Sequence, residues 1–200
     1  MNLPYTRIFG GANKSNKSLA EEFARKGHDV IIIAPALATP SHITLDELAI
    51  ELNKQGIEVT DNNGYFIFEI EKVKVFAVKN ADYLRSKLIQ KTKQINPDWV
   101  FISAEDPSQT LLNAAHEVAS DKIIYLAHTP QMFPFGPESM YPGEKRTQVI
   151  GKSRLIVTIS DFVANYIESN TSFKTFVNHP PHFGKGPYPN LANFESGFVL

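Results

Sequence analysis

Residues 10–35 constrain this chain more than any other stretch, because a double glycine, an amphipathic segment and an unbroken apolar run follow one another there. Ala12, Asn16, Leu19, Ala20, Phe23 and Ala24 recur at spacings of three and four, which gathers them on one helical face. Lys14, Lys17, Glu21, Glu22, Arg25 and Lys26 take the other face. Gly27 suits the left-handed turn that ends a helix, and Arg25 and Lys26 suit the negative end of its dipole. Val30, Ile31, Ile32 and Ile33 then run without alternation to Pro35, the pattern of a parallel strand covered on both faces. Gly10 and Gly11 therefore open a helix whose free amides suit an anion, although the same pair also serves a plain tight turn. The fuller fingerprint G-x-G-x-x-G is absent, since position 12 is alanine.

The unit repeats along the chain. Thr44 and Glu47 have capping-box spacing and start a short helix that stops near Gly56. Residues 57–60 and 65–70 flank Asp61-Asn62-Asn63-Gly64, which predicts a β-hairpin excursion over about residues 57–76. Residues 82–95 are helical, with Lys87, Lys91 and Lys93 on a solvated face. Strands are expected at 99–103, 123–127, 155–158 and 173–177, with Pro107 in the first turn of one helix and Ser160 capping another. This alternation predicts an α/β fold, a Rossmann-like and mainly parallel sheet with helices on both faces. Residues 1–9 read as the loop after a missing first strand, so the segment before about residue 12 is expected to be poorly held. Residues 1–177 are expected to form this domain, 178–195 a proline-rich linker, and 196–200 the start of another strand.

Composition narrows the partners. Lys and Arg number 20 against 21 Asp and Glu, which argues against nucleic acid as a partner and against an electrostatically driven membrane protein. There is no cysteine, so disulfides and thiolate metal sites are excluded. No apolar run approaches the roughly 18 residues of a membrane span, and no signal peptide is evident, so a soluble cytoplasmic protein is expected. His179 and His182 lack a third ligand at metal spacing, and no metal is assigned.

Four stretches, in order, resemble the N-terminal half of the GT-B glycosyltransferases, in the large retaining family that includes sucrose synthases, mannosyltransferases and bacterial polysaccharide transferases. Gly10-Gly11 followed by Gly27-His28-Asp29-Val30 is similar to that family's G-G loop, helix and "G-H-x-V" strand. Asn96-Pro97-Asp98-Trp99-Val100 resembles its "k-P-D-v-v" strand entry. Leu155-Ile156-Val157-Thr158-Ile159-Ser160-Asp161-Phe162 resembles its "v-i-a-v-S-e-f" turn, and Val177-Asn178-His179-Pro180 its "i-p-N" run into the interdomain linker. The chain departs from the pattern at the end of the "P-D-v-v" strand, where it offers Ser103, Glu105 and Asp106 in place of a histidine.

The resemblance implies a retaining transferase that takes a UDP- or GDP-linked sugar as co-substrate, without a further cofactor, and passes it to a glycan or lipid-linked acceptor. It implies peripheral membrane contact where the acceptor is lipid-linked. It also implies a C-terminal nucleotide-sugar domain, without which residues 1–200 are expected to be inactive. Gly10, Gly11 and Lys14 fall on the donor-phosphate side, with Asn13 a neighbour, and His128 aligns with a position beside the donor sugar. Glu105 and Asp106 are either acceptor ligands or a weak base, or the acidic start of a helix. Phe133 and Phe135, in the aromatic loop at 131–141, either stack on the acceptor or pack a core. The rival class is a non-catalytic Rossmann-type nucleotide-binding or scaffold domain, opposed by the missing fingerprint and by Pro35 where an acidic residue would close the second strand.

Overall fold

The computed structural model describes residues 3–6 and 10–179. It bears out the expected α/β architecture. Strands β1 (Ile31–Pro35), β2 (Thr60–Asn62), β3 (Tyr65–Ile70) and β4 (Val73–Val78) form one sheet in the order β1-β4-β3-β2, with β1 parallel to β4 and the rest antiparallel. Strands β5 (Val100–Ser103), β6 (Ile123–Ala127), β7 (Leu155–Thr158) and β8 (Phe176–Val177) form a second, all-parallel sheet in chain order.

Helices cover both faces. Ala20 and Ala24 of α1 (Gly11–Arg25), with Leu48 and Leu52 of α2 (Leu45–Lys54), pack on Phe66, Phe68, Val73, Val75 and Ala77. On the other side α3 (Leu84–Ile95), α4 (Thr110–Ala119), α5 (Glu144–Gly151) and α6 (Asp161–Asn170) bury Leu88, Leu112, Ile150 and Ile167 against Val100, Ile102, Ile123, Tyr125 and Ile156. Two helices bridge the sheets. Phe23 of α1 meets Phe101 of β5 at 5.6 Å between ring centroids, and Leu84 of α3 packs against the cores of both sheets.

Among the described residues the strands form two separate hydrogen-bonded sheets. Residues 3–6 are not a strand; Pro4 and Tyr5 are buried, and the Tyr5 hydroxyl donates to Glu21 on α1. Residues 7–9 and 180–200, which include most of the expected linker and the last expected strand, lie outside the described residues.

Three local boundaries differ from the sequence reading, each for a visible reason. Strand β2 starts at Thr60 instead of Ile57, because the Ile57 amide is taken by the Leu52 carbonyl at the end of α2. The hairpin turn narrows to Asn63 and Gly64, closed by the Asn62 and Tyr65 pair, with Gly64 at φ 95°. Helix α4 starts at Thr110 and not near Pro107, since Gln109 adopts a left-handed φ of 56° and the Asp106 carboxylate accepts the Leu111 amide at 2.9 Å. The capping box at Thr44 and Glu47 forms as read, with both reciprocal hydrogen bonds. Ser160 likewise caps α6 by accepting from the Val163 amide.

Candidate functional site

In the parallel register Ser103 faces Leu126, and the Ala104 amide donates to the Leu126 carbonyl at 2.9 Å. Two residues past Ser103 and Leu126, Glu105 and His128 leave neighbouring strands on the same face of the sheet, as the period of two requires. Their side chains meet there, with His128 Nδ1 3.6 Å from Glu105 Oε1. That is a long contact for a hydrogen bond.

Both side chains are largely withdrawn from water, His128 at 4% exposure and Glu105 at 16%. Burial is the main influence on each. It holds the His128 imidazole down at about 4, with the Leu126 carbonyl pulling weakly the other way, and it raises the Glu105 carboxyl above its ordinary range. Near neutral pH the imidazole is therefore uncharged. One ring nitrogen then carries a proton to donate and the other a lone pair to accept.

Helix α1 lies over His128. His128, Leu126, Val157, Ile159 and Asn178 from the sheet side and Ser15, Asn16 and Leu19 from α1 line a cavity of about 30 Å³. That volume holds about one water molecule, the size of a single hydroxyl group. Gly10 precedes the helix at φ 79°, a conformation that favours glycine, and as the N-cap residue it has no side chain to cap the first turn. A helix N-terminus of this kind is a geometry that suits an anion. Space allows a close approach, because a Cβ at Gly10 or Gly11 would meet nothing within 4 Å.

The structure brings some expected residues together and separates others. Gly10 and Gly11 start the helix that roofs His128, and Glu105 touches His128. Lys14 is exposed and does not line the cavity; its place is taken by Ser15 and Asn16. Asp106 is occupied in the turn before α4, accepting from the Ser108 hydroxyl and the Leu111 amide. Asn16 had read as one more inward position of an amphipathic helix. A buried amide among alanines was the signal for a polar wall.

Phe133 and Phe135 pack inward. They are 0% and 8% exposed, stack on each other at 5.4 Å, and contact Tyr166 of α6. The loop carrying them is tied down by its own hydrogen bonds. Ser139 Oγ donates to the Phe133 carbonyl, the Gly143 amide to the Pro134 carbonyl, and Tyr166 Oη to the Phe135 carbonyl. Gly136, at φ 80°, lies so close to Tyr166 that a Cβ there would fall 2.3 Å from its hydroxyl oxygen. The large apolar side chains this loop shows to solvent are Met140 and Tyr141.

Among the described residues no cluster of three His, Cys, Asp or Glu is suited to a metal ion. No helix among them is long and apolar enough to cross a membrane.

A Rossmann-like α/β layer with its polar cleft at the carboxyl ends of parallel strands defines a ligand-binding domain of the doubly wound class. Residues 9–175 match the Glycosyltransferase Family 4 model, and the chain belongs to that family. No curated protein matches it.

Proposed function

We propose that this chain is the acceptor-side half of a retaining glycosyltransferase, which moves a sugar from a UDP- or GDP-linked donor to a glycan or lipid-linked acceptor in the cytoplasm. The observation that carries the reading is the desolvated His128 and Glu105 pair, with His128 lining a cavity against Ser15, Asn16 and Leu19 of α1. Sugar transfer needs two things at one place: stabilisation of a departing diphosphate and a positioned polar group beside the sugar. The amides at Gly10 and Gly11 supply partial positive charge toward the diphosphate, and a second domain of the kind the resemblance implies holds the nucleotide. His128, neutral at working pH, hydrogen-bonds a sugar hydroxyl without adding a charge that would oppose an oxocarbenium-like centre. Asn16 and Asn178 offer amides to neighbouring hydroxyls.

The proton of the acceptor hydroxyl passes to the departing phosphate oxygen or to Glu105, whose raised affinity for a proton suits it to weak base work. The acceptor lies against the exposed Met140 and Tyr141, while Phe133 and Phe135 hold that loop from below. The test, run on a protein that joins this domain to the nucleotide-sugar domain the resemblance implies, is a panel of UDP- and GDP-sugars with glycan acceptors, the anomeric configuration of the product being read by NMR. Product that keeps the configuration of the donor is expected; inverted product would contradict the retaining assignment.

A further inference from the structure

The mixed sheet carries a second polar feature, on the face turned away from α1. The register of β3 and β4 sets Tyr65 opposite Val78, Ile67 opposite Phe76 and Glu69 opposite Lys74, so Tyr65, Phe76 and Lys74 share the face that α3 covers. The Tyr65 and Phe76 rings meet edge to face at 5.7 Å.

Three ammonium groups converge on these rings. Lys87 Nζ is 4.8 Å from the Tyr65 centroid, Lys91 Nζ is 4.3 Å from that of Phe76 and 5.7 Å from that of Tyr65, and Lys74 Nζ is 5.7 Å from that of Phe76. Lysine stems often shelter aromatic rings in this way, and cation–π attraction accounts for the shelter.

Two observations are left over. Lys87 and Lys91 stand one helical turn apart, a spacing at which like charges repel, yet none of the three ammonium groups is in an ion pair among the described residues. Glu69, the nearest carboxylate by register, does not close one with Lys74, and Lys91 spends one proton on Gln94 Oε1. Beneath them, Tyr65 is 7% exposed and its Oη is buried with no hydrogen-bond partner. A buried donor left unmatched is costly, and a fold keeps one where something else is to satisfy it.

We propose that Tyr65, Lys87, Lys91 and Lys74 form a binding site for a phosphoryl group, separate from the His128 cleft and on the opposite face of the fold. A phosphoryl group fits because its several oxygens accept from the phenol and from more than one ammonium at once, and its negative charge offsets the repulsion between Lys87 and Lys91. Entry requires the lysine side chains to swing aside, which half-exposed side chains do within nanoseconds. With a net charge of −1 on the whole chain and only three converging cations here, the patch suits a single phosphoryl group and not a nucleic-acid backbone.

The test uses the full 200-residue chain and inorganic phosphate, against chloride at matched ionic strength. Phosphate is expected to raise Tm in a saturable way, and calorimetry is expected to show binding at least about tenfold weaker in the Lys87→Gln and Lys91→Gln double variant, which keeps both lysine stems nearly full length. Tyr65→Phe provides an independent check. It is expected to raise Tm without phosphate, by removing the orphaned hydroxyl, and to weaken phosphate binding. A parallel arm measures sedimentation with phosphatidylcholine vesicles with and without phosphatidic acid. Binding of free phosphate without vesicle binding assigns the site to a soluble phosphorylated ligand; vesicle binding that the double variant loses assigns it to a lipid headgroup. Absence of both, or binding unchanged in both variants, overturns the proposal.

Discussion

In a protein that joins this domain to the nucleotide-sugar domain the resemblance implies, replacing His128 by alanine is expected to lower sugar transfer by about 100-fold or more, the usual cost of removing one preorganised hydrogen-bonding group from a water-poor site. The loss should fall on kcat more than on KM, because the imidazole is placed to meet groups whose polarity changes during transfer. The same substitution has a readout that does not depend on activity. His128 titrates near 4 in the folded chain and near 6.5 when unfolded, so the unfolded state takes up the proton first as pH falls. Stability is therefore fully present above the unfolded value and is lost as pH drops from 6.5 toward 4, by about 3 kcal/mol for a shift of this size. In His128→Gln that part of the pH dependence should vanish. Glu105, shifted upward, acts with the opposite sign and loses stability as pH rises from its ordinary range; it persists in both proteins and does not mask the difference. Transfer at the wild-type rate by His128→Ala would remove the residue from the site.

Phe133→Ala is expected to cost about 3–5 kcal/mol of folding stability, measured by urea denaturation, with a lowered midpoint and little change in slope. Phe133 has no exposed surface, stacks on Phe135 and meets Tyr166 at a tilt, so truncation opens a cavity that its hydrogen-bonded loop cannot easily close. Met140→Ala and Tyr141→Ala, at exposed positions of the same loop, are expected to change stability by no more than about 0.5 kcal/mol and to act on acceptor KM instead. A fully stable Phe133→Ala protein with impaired acceptor binding would return Phe133 to the acceptor surface.

The two outcomes show what was legible in the amino-acid sequence. Period and punctuation located nearly every element, because the apolar runs from Val30 to Pro35 and from Trp99 to Ser103 read as strands, and because Thr44, Glu47 and Ser160 mark helix starts through local hydrogen bonds; the expected burial of both faces fails at β5, where Phe101 and the preceding Trp99 are exposed. The carboxyl-edge position of Glu105 and His128 followed from the same alternation. Their contact did not, since it depends on the pairing of β5 with β6, and register between strands separated by a helix is a non-local property. The aromatic loop was ambiguous for a related reason. Phenylalanines that stack on a sugar and phenylalanines that stack on Tyr166 look alike until α6 is placed beside them. Lys87 and Lys91 read as a solvated face, and only the hairpin brings Tyr65 beneath them. Asp106 offered two readings, and its hydrogen bond to Leu111 shows it closing the turn before α4.

The central claim is that a nucleotide-sugar meets this domain at His128. Long-range ¹H–¹⁵N spectra of the histidine rings, followed while a UDP- or GDP-sugar is titrated into a protein that joins this domain to the nucleotide-sugar domain the resemblance implies, test it most directly. Saturable shifts of the His128 ring nitrogens are expected, in a ring that stays neutral at pH 7, while the exposed His42 and His179 remain unmoved. A donor that binds while His128 stays unchanged would contradict the account.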